Sequence, residues 1–245
     1  MKFALVTGAG SGIGRAAAHA LMGAGWHVTL VGRRQDALAE TAQAAPEQAT
    51  ILPGDVGVPA EVDRIFAEHA ARHGRLDLLF NNAGRGAPAV PLDELPVETF
   101  LDTVAVNLVG SVLCARAAFG LMRRQVPQGG RIINNGSLSA YVPRPHSVPY
   151  STTKHAITGL TRCLALDGRV YGIAAGQVDI GNAVTPLTER MTEGVLQADG
   201  HMAPEPRMDV AQAGAAVLHM ASQPPGANVL FMTVMATDMP FVGRG

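Results

Sequence analysis

Seven short, almost uninterrupted apolar runs recur along this 245-residue chain, and longer segments with helical patterning separate most of them. The runs are KFALVT, WHVTLVG, TILPGDV, LDLLFNNAG, GRIINNGS, YGIAAGQV and NVLFMTVM. A strand wet on one face alternates apolar and polar residues, whereas a strand covered on both faces stays apolar. The intervening stretches include GIGRAAAHALMGAG, QDALAETAQAA and PAEVDRIFAEHAARHG, with further helices expected over Val97–Arg124, 151–166 and 210–220. In the third of these, Pro59 near the first turn and Gly74 at the end are start and stop signals. Strands alternating with helices predict an α/β fold, a seven-stranded, doubly wound parallel sheet with helices on both faces. No repeat, linker or low-complexity tract interrupts the pattern, so residues 1–245 read as one domain.

Composition narrows the functional classes. Hydrophobic residues make up 47% of the chain and charged residues 16%, enough apolar surface for a large core and too little charge for disorder. A formal net charge of −1 supplies no field to attract nucleic acid or an anionic membrane. The apolar stretch FALV at the start is too short for a signal-peptide core, and no uninterrupted apolar run nears the roughly 18 residues of a membrane span. A cytoplasmic protein is expected. Cys114 and Cys163 both fall in apolar helical patterns and read as reduced, buried thiols. His69 and His73, four apart on one helix, lack a third ligand and read as a solvated face.

The first apolar run leads directly into TGAGSGIG, residues 7–14. Gly8, Gly12 and Gly14 allow a sharp turn and close backbone approach, and the helix that follows offers unpaired N–H groups to a pyrophosphate. At the end of the second run the chain reads Gly32-Arg33-Arg34. An acid there would favour the free ribose hydroxyl of NAD; Arg33, with Arg34 beside it, favours the 2′-phosphate of NADP, although NAD(H) remains possible. Ser11 adds a hydroxyl to the same phosphate-binding set.

Tyr150 is followed four residues later by Lys154. A free phenol has a pKa of about 10, and a neighbouring ammonium lowers it; residues four apart share a helix face. That pair makes a tunable proton donor and acceptor. Tyr141 and Tyr171 have no such lysine, and Tyr141 reads as packing or pocket rim.

Three motifs, Gly8-x-x-x-Gly12-x-Gly14, Asn81-Asn82-Ala83-Gly84 and Tyr150-x-x-x-Lys154, occur in this order. Together they resemble the short-chain dehydrogenases/reductases, over nearly the whole chain. The resemblance implies a Rossmann fold and an NAD(P)-dependent oxidoreductase. Hydride would pass between NADPH and a carbonyl or secondary-alcohol substrate, with Tyr150 as general acid/base. It places Ser137 as the oxyanion donor, Lys154 on the nicotinamide ribose, and Asn107 in a water-linked proton relay. It also places Ile13 and Gly84 in the cofactor motifs, Asp55 and Val56 beside the adenine, Asn82 and Ala83 along the nicotinamide-side ribose, and the Val178 backbone on the carboxamide. After the sixth strand the chain departs from the family: Gly176 stands as the expected landmark, Ala175 replaces a proline, and Ile180 falls where a threonine is usual, leaving Asn182 or Thr185 to substitute. A substrate lid is expected at about 185–207, with His146 a loop residue near the pocket mouth. An apolar tail at about 229–245 suggests a subunit interface in a homotetramer or homodimer. The competing readings are a non-catalytic NAD(P)-binding sensor and an epimerase or dehydratase of the same fold; the latter usually carries an added substrate domain.

Overall fold

Each apolar run becomes a strand of one parallel sheet. The computed structural model describes residues 1–242, apart from the side chain of Arg190; the last three residues of the expected tail, 243–245, lie outside the described residues. Along the chain come β1 (Phe3–Thr7), α1 (Gly12–Gly23), β2 (His27–Gly32), α2 (Gln35–Ala42), β3 (Ala49–Pro53), α3 (Pro59–His73) and β4 (Leu78–Asn81). There follow α4 (Val97–Val104), α5 (Ser111–Arg124), β5 (Gly130–Asn135), α6 (Val148–Asp167) and β6 (Ile173–Gly181). A small antiparallel pair, β7 (Val195–Leu196) and β8 (Met202–Ala203), precedes α7 (Val210–Ala221) and β9 (Phe231–Met235). The main sheet runs β3-β2-β1-β4-β5-β6-β9, parallel throughout. Its order reverses between β1 and β4, and ligands of such sheets bind at the carboxyl ends of strands at that point.

Two cores explain the unbroken apolar runs. Successive residues of a strand point to opposite faces. Val6, Phe80 and Ile133 therefore pack with Leu21 of α1 and Val217 of α7, while their neighbours Leu5, Leu79 and Ile132 pack with Ile65 of α3 and Met122 of α5. The start and stop signals of α3 hold: Pro59 is in its first turn, and Gly74 ends it at φ +72°. Between α4 and α5 the helix continues through a π-helical segment, Ala105–Gly110. By length and composition alone this 28-residue helix could cross a membrane; here its Cys114, Ala118 and Met122 fill the second core.

Two sequence expectations change. Cys114 is buried and burial pushes its thiol up to about 12, but Cys163 is exposed. His69 is fully buried, not solvated. Its Nε2–H donates to the Arg75 carbonyl at 3.0 Å, which leaves Nδ1 to accept from the Thr29 hydroxyl at 2.8 Å. This is the neutral ring, and burial pushes its pKa down to about 4. The His73 ring meets it edge to face at 4.9 Å and lies 4.7 Å from the His27 ring; burial lowers the pKa of both His73 and His27 as well.

The unfolded chain therefore binds protons that the native histidines refuse. Stability is whole above about pH 6.5 and is lost as pH falls from there through about 4, with His69 alone costing on the order of 3 kcal/mol at the acid end. Urea unfolding at pH 7 and pH 5 should show a lower midpoint at pH 5, and His69→Gln should remove most of that difference. An unchanged pH dependence in the variant would contradict the assignment.

Candidate active site

The carboxyl end of β1 meets that of β4 through a set of short contacts. Thr7 Oγ1 accepts the backbone N–H groups of Asn82 and Ala83, each at 2.9 Å, and Asn82 Nδ2 donates to the Thr7 carbonyl at 2.9 Å. Gly8 and Gly12 take φ values of +65° and +51°. A Cβ on Gly14 would stand 2.2 Å from the Gly8 carbonyl oxygen and 2.6 Å from Asn82 Nδ2. Ser11 caps α1 in an extended conformation and makes no side-chain cap bond, so it leaves the first-turn N–H groups to another acceptor. Ile13 anchors this turn against the first core. Nearby, Asn135 Oδ1 is buried and meets no donor among the described residues. A glycine cradle, a free helix N-terminus and an orphaned acceptor fit a dinucleotide.

At the far end of the cradle, Arg33 is 72% exposed, with only a 3.9 Å approach of Nη1 to Asp55 Oδ2. Arg34 caps α2 and is exposed. Asp55 Oδ1 accepts the Gly57 N–H at 2.9 Å, and Val56 is buried in the second core. Among the described residues the Arg33 guanidinium thus has no close carboxylate partner.

The candidate reacting side chains come from the turn after β5 and from α6. Ser137 is buried two residues beyond β5; its N–H donates to Asp179 Oδ1 at 2.9 Å, and its Oγ accepts the Ser139 N–H at 3.1 Å. The Oγ–H remains to be donated. Tyr150 lies in the first turn of α6, whose second residue is Pro149. One turn on, Lys154 is buried, its Nζ donating to the Asn135 carbonyl at 2.7 Å and lying 5.5 Å from the Tyr150 ring centroid. Ser137 and Tyr150 share the wall of a cavity of about 430 Å³. Asn107 sits in the π-helical segment. Its Oδ1 accepts the Arg85 N–H at 2.8 Å and its Nδ2 donates to the Arg85 carbonyl at 2.9 Å, tying the loop after β4, including Gly84, to the long helix.

The short chain dehydrogenase family profile matches residues 2–195 of this chain. The chain belongs to the short-chain dehydrogenases. Like its family, this short-chain dehydrogenase is an oxidoreductase that transfers hydride with NAD(P). It is 32% identical over 241 residues to L-fucose dehydrogenase of Oryctolagus cuniculus, covering 91% of this chain and 79% of that protein. Among solved structures it resembles a single-residue variant of actinorhodin polyketide ketoreductase with NADPH, at TM-score 0.86 and 26% identity over 96% of each chain. It also resembles a 3-ketoacyl-(acyl-carrier-protein) reductase from Brucella melitensis complexed with NADH, at TM-score 0.85 and 25% identity over 95% of this chain and 96% of that one.

Where this short-chain dehydrogenase departs from expectation is the end of β6. Gly176 is no landmark for the cofactor loop: it lies inside the strand, where a Cβ would stand 2.2 Å from the Val229 carbonyl oxygen. Val178 is three residues short of the strand end, fully buried in the first core, and its carbonyl accepts the Gly136 N–H at 2.8 Å. That placement removes it from the cofactor set. The strand instead continues to Gly181, and Thr185 reaches the cradle: a Cβ on Gly12 would meet Thr185 Cγ2 at 3.1 Å. Thr185, not a residue at 180, is the threonine at the glycine loop.

Other polar groups were invisible to sequence reasoning. Arg144 pairs with Glu205, which is buried in the 185–207 segment, and also donates to Asn182 Oδ1 at 3.0 Å. Arg144, Asn182 and Gln197 together hold the Glu205 carboxyl down at about 2, against burial, which alone would raise it. His146, at φ +56°, lines the cavity. The apolar tail also finds a use within its own chain. Phe231–Met235 is the edge strand β9, and Ala236, Met239 and Phe241 pack around Leu138; Met239 and Phe241 form part of the cavity wall.

Proposed function

We propose that this short-chain dehydrogenase is an NADP(H)-dependent carbonyl reductase and alcohol dehydrogenase acting on a neutral, largely apolar ketone or secondary alcohol. The observation that carries the reading is the shared cavity wall of Ser137 and Tyr150, with buried Lys154 behind the tyrosine and the glycine cradle alongside. Ser11 and the first turn of α1 would hold a pyrophosphate, Arg33 and Arg34 the 2′-phosphate, and Asp55 and Val56 the adenine side. Asn82, Ala83, Gly84, Asn135 and Thr185 line the path toward the reacting end. When bound, the cofactor supplies or takes up the hydride. Tyr150 gives its proton to the carbonyl oxygen, and Ser137 donates its remaining O–H to that same oxygen. Lys154 stabilises the negative charge left on the phenol. Any relay role of Asn107 falls to its main chain, because its side chain is committed to Arg85.

The cavity supports the substrate class. Its wall includes Leu138, Val142, Leu187, Met191, Val195 and Met239. The polar side chains among the lining residues are largely spent: Arg144 on Glu205 and Asn182, Ser147 on the Arg144 carbonyl at 2.6 Å, and Thr188 on the Ala183 carbonyl at 2.6 Å. A sugar would bury hydroxyl groups without partners, at about 1–3 kcal/mol each. An anionic substrate would find Arg144 already neutralised. Large apolar side chains exposed on the long helix, Val97, Leu101, Val109 and Val112, support assembly as a homodimer or homotetramer. A cytoplasmic location is part of the same reading.

The test is NADPH absorbance on mixing the protein with apolar cyclic and aryl ketones, aldoses and 2-oxo acids. Apolar ketones should exceed the polar compounds in kcat/KM by about a hundredfold or more. Arg33→Ala should raise KM for NADPH by about tenfold or more and leave NADH little changed. Preferred turnover of sugars would overturn the substrate class, and equal effects on both nucleotides would overturn the cofactor preference. Tight NADPH binding without turnover of any carbonyl would favour a sensor.

A further inference from the structure

Asp179 plays no part in the steps above, yet it is fully buried beside them. It lies on β6, two residues before the strand ends. Its Oδ1 accepts the Ser137 N–H at 2.9 Å and Gln177 Nε2–H at 2.7 Å, and its Oδ2 accepts the Tyr141 hydroxyl at 3.0 Å. Burial raises its carboxyl above the usual range, while the bonds from Gln177, Tyr141 and Ser137 and the charge of Lys154 pull the other way. Burial and then the Asp179 charge and bond push the Tyr141 phenol up to about 12. Space around the carboxylate is committed too: a Cβ on Gly136 would stand 2.0 Å from Asp179 Oδ1. The residue preceding Ser137 is thus a glycine because the acid occupies the room of a side chain.

A buried carboxylate is costly unless donors surround it, and a neutral carbonyl would suffice to satisfy one backbone N–H. We propose that Asp179 is a positioning residue for catalysis: it fixes Ser137 through the serine main chain and is itself held from turning by Tyr141 on its second oxygen. The reacting hydroxyl then meets the substrate oxygen at a set position without rearrangement, which is where preorganised donors draw their effect. The inference rests on Ser137 being the group that polarises the substrate.

Asp179→Asn keeps the shape but offers one acceptor oxygen and an N–H₂ group to three donors. With a ketone that the protein turns over, kcat should fall about tenfold or more while KM for NADPH changes less than about twofold. In a Ser137→Ala background the same substitution should cost less than about twofold, since two residues acting through one hydroxyl are not additive. Equal fold losses in both backgrounds would overturn the proposal. Tyr141→Phe, at a half-exposed ring, should give a smaller fall with the same dependence on Ser137. A readout independent of turnover is ultraviolet titration of the phenol, taken as wild type minus Tyr141→Phe. It should ionise near pH 12 in the parent and move toward 10 in Asp179→Asn; no movement would overturn the contact itself. A parent protein that turns over no carbonyl would count against the function, and the titration would then decide the Asp179 contact alone.

Discussion

Tyr150→Phe is expected to lower kcat by about 10² to 10⁴-fold while NADPH still binds within about twofold of the parent. The substitution deletes one oxygen. The ring remains in the first turn of α6, and Lys154 Nζ keeps its 2.7 Å bond to the Asn135 carbonyl. The cradle formed by Thr7, Gly8 and Asn82 is untouched. What is lost is the proton that must reach the substrate oxygen as it becomes an alkoxide, and Ser137 can share that charge without neutralising it. Calorimetry with NADPH and initial rates from nicotinamide absorbance separate the two quantities. Loss of binding in step with loss of rate would instead make Tyr150 part of the cradle.

Gly14→Ala is expected to weaken NADPH binding by about a hundredfold or more and to cost about 1–3 kcal/mol of stability. The added methyl would stand 2.2 Å from the Gly8 carbonyl oxygen, 2.6 Å from Asn82 Nδ2 and 2.7 Å from the Gly8 carbonyl carbon. Two of these neighbours are main chain, and Asn82 is held by the Thr7 carbonyl. The loop can relieve the contact only by opening, which would misplace the N–H groups proposed to hold the pyrophosphate. Gly23, the last residue of the same helix, has nothing within 4 Å of a built Cβ. Gly23→Ala should therefore leave binding unchanged and stabilise the helix by up to about 1 kcal/mol. Similar losses at both positions would point to helix propensity instead of close approach. Denaturant unfolding together with NADPH calorimetry on the two variants makes the comparison.

The strands, the two-faced sheet and most of the candidate site were legible because their signals are local. An apolar run reports burial on both faces, Pro59 and Gly74 bracket α3, and the glycine turn follows β1 directly. Tyr150 and Lys154 are one helical turn apart, so their spacing already carries their geometry. The miss at 174–185 came from taking Gly176 as the landmark when a second glycine, Gly181, stands five residues later. Gly176 is forced by the Val229 backbone, and Gly181 is crowded by the side chains of Leu138, Met235 and Met239. Only the register of β6 decides which of them leads into the cofactor loop.

Buried polar partners were illegible for a different reason. Asp179 meets Ser137 and Tyr141 across 42 and 38 residues of sequence, His69 meets Thr29 across 40, and Arg144 meets Glu205 across 61. No spacing rule spans such separations, and a charged or ionisable residue read alone is assigned to the surface. Gly136 ahead of Ser137 was the one local trace, a missing side chain where the carboxylate needed room.

Hydride transfer to the carbonyl carbon of an otherwise apolar ketone, beside Tyr150, is tested most directly by mass spectrometry of the alcohol formed from a cyclic ketone with NADPH carrying deuterium in the transferred position. Deuterium on the carbinol carbon, appearing at least about a hundredfold more slowly with Tyr150→Phe, is the result expected. Bound nucleotide with no labelled alcohol from any ketone, or label formed equally well by the phenylalanine variant, would contradict it.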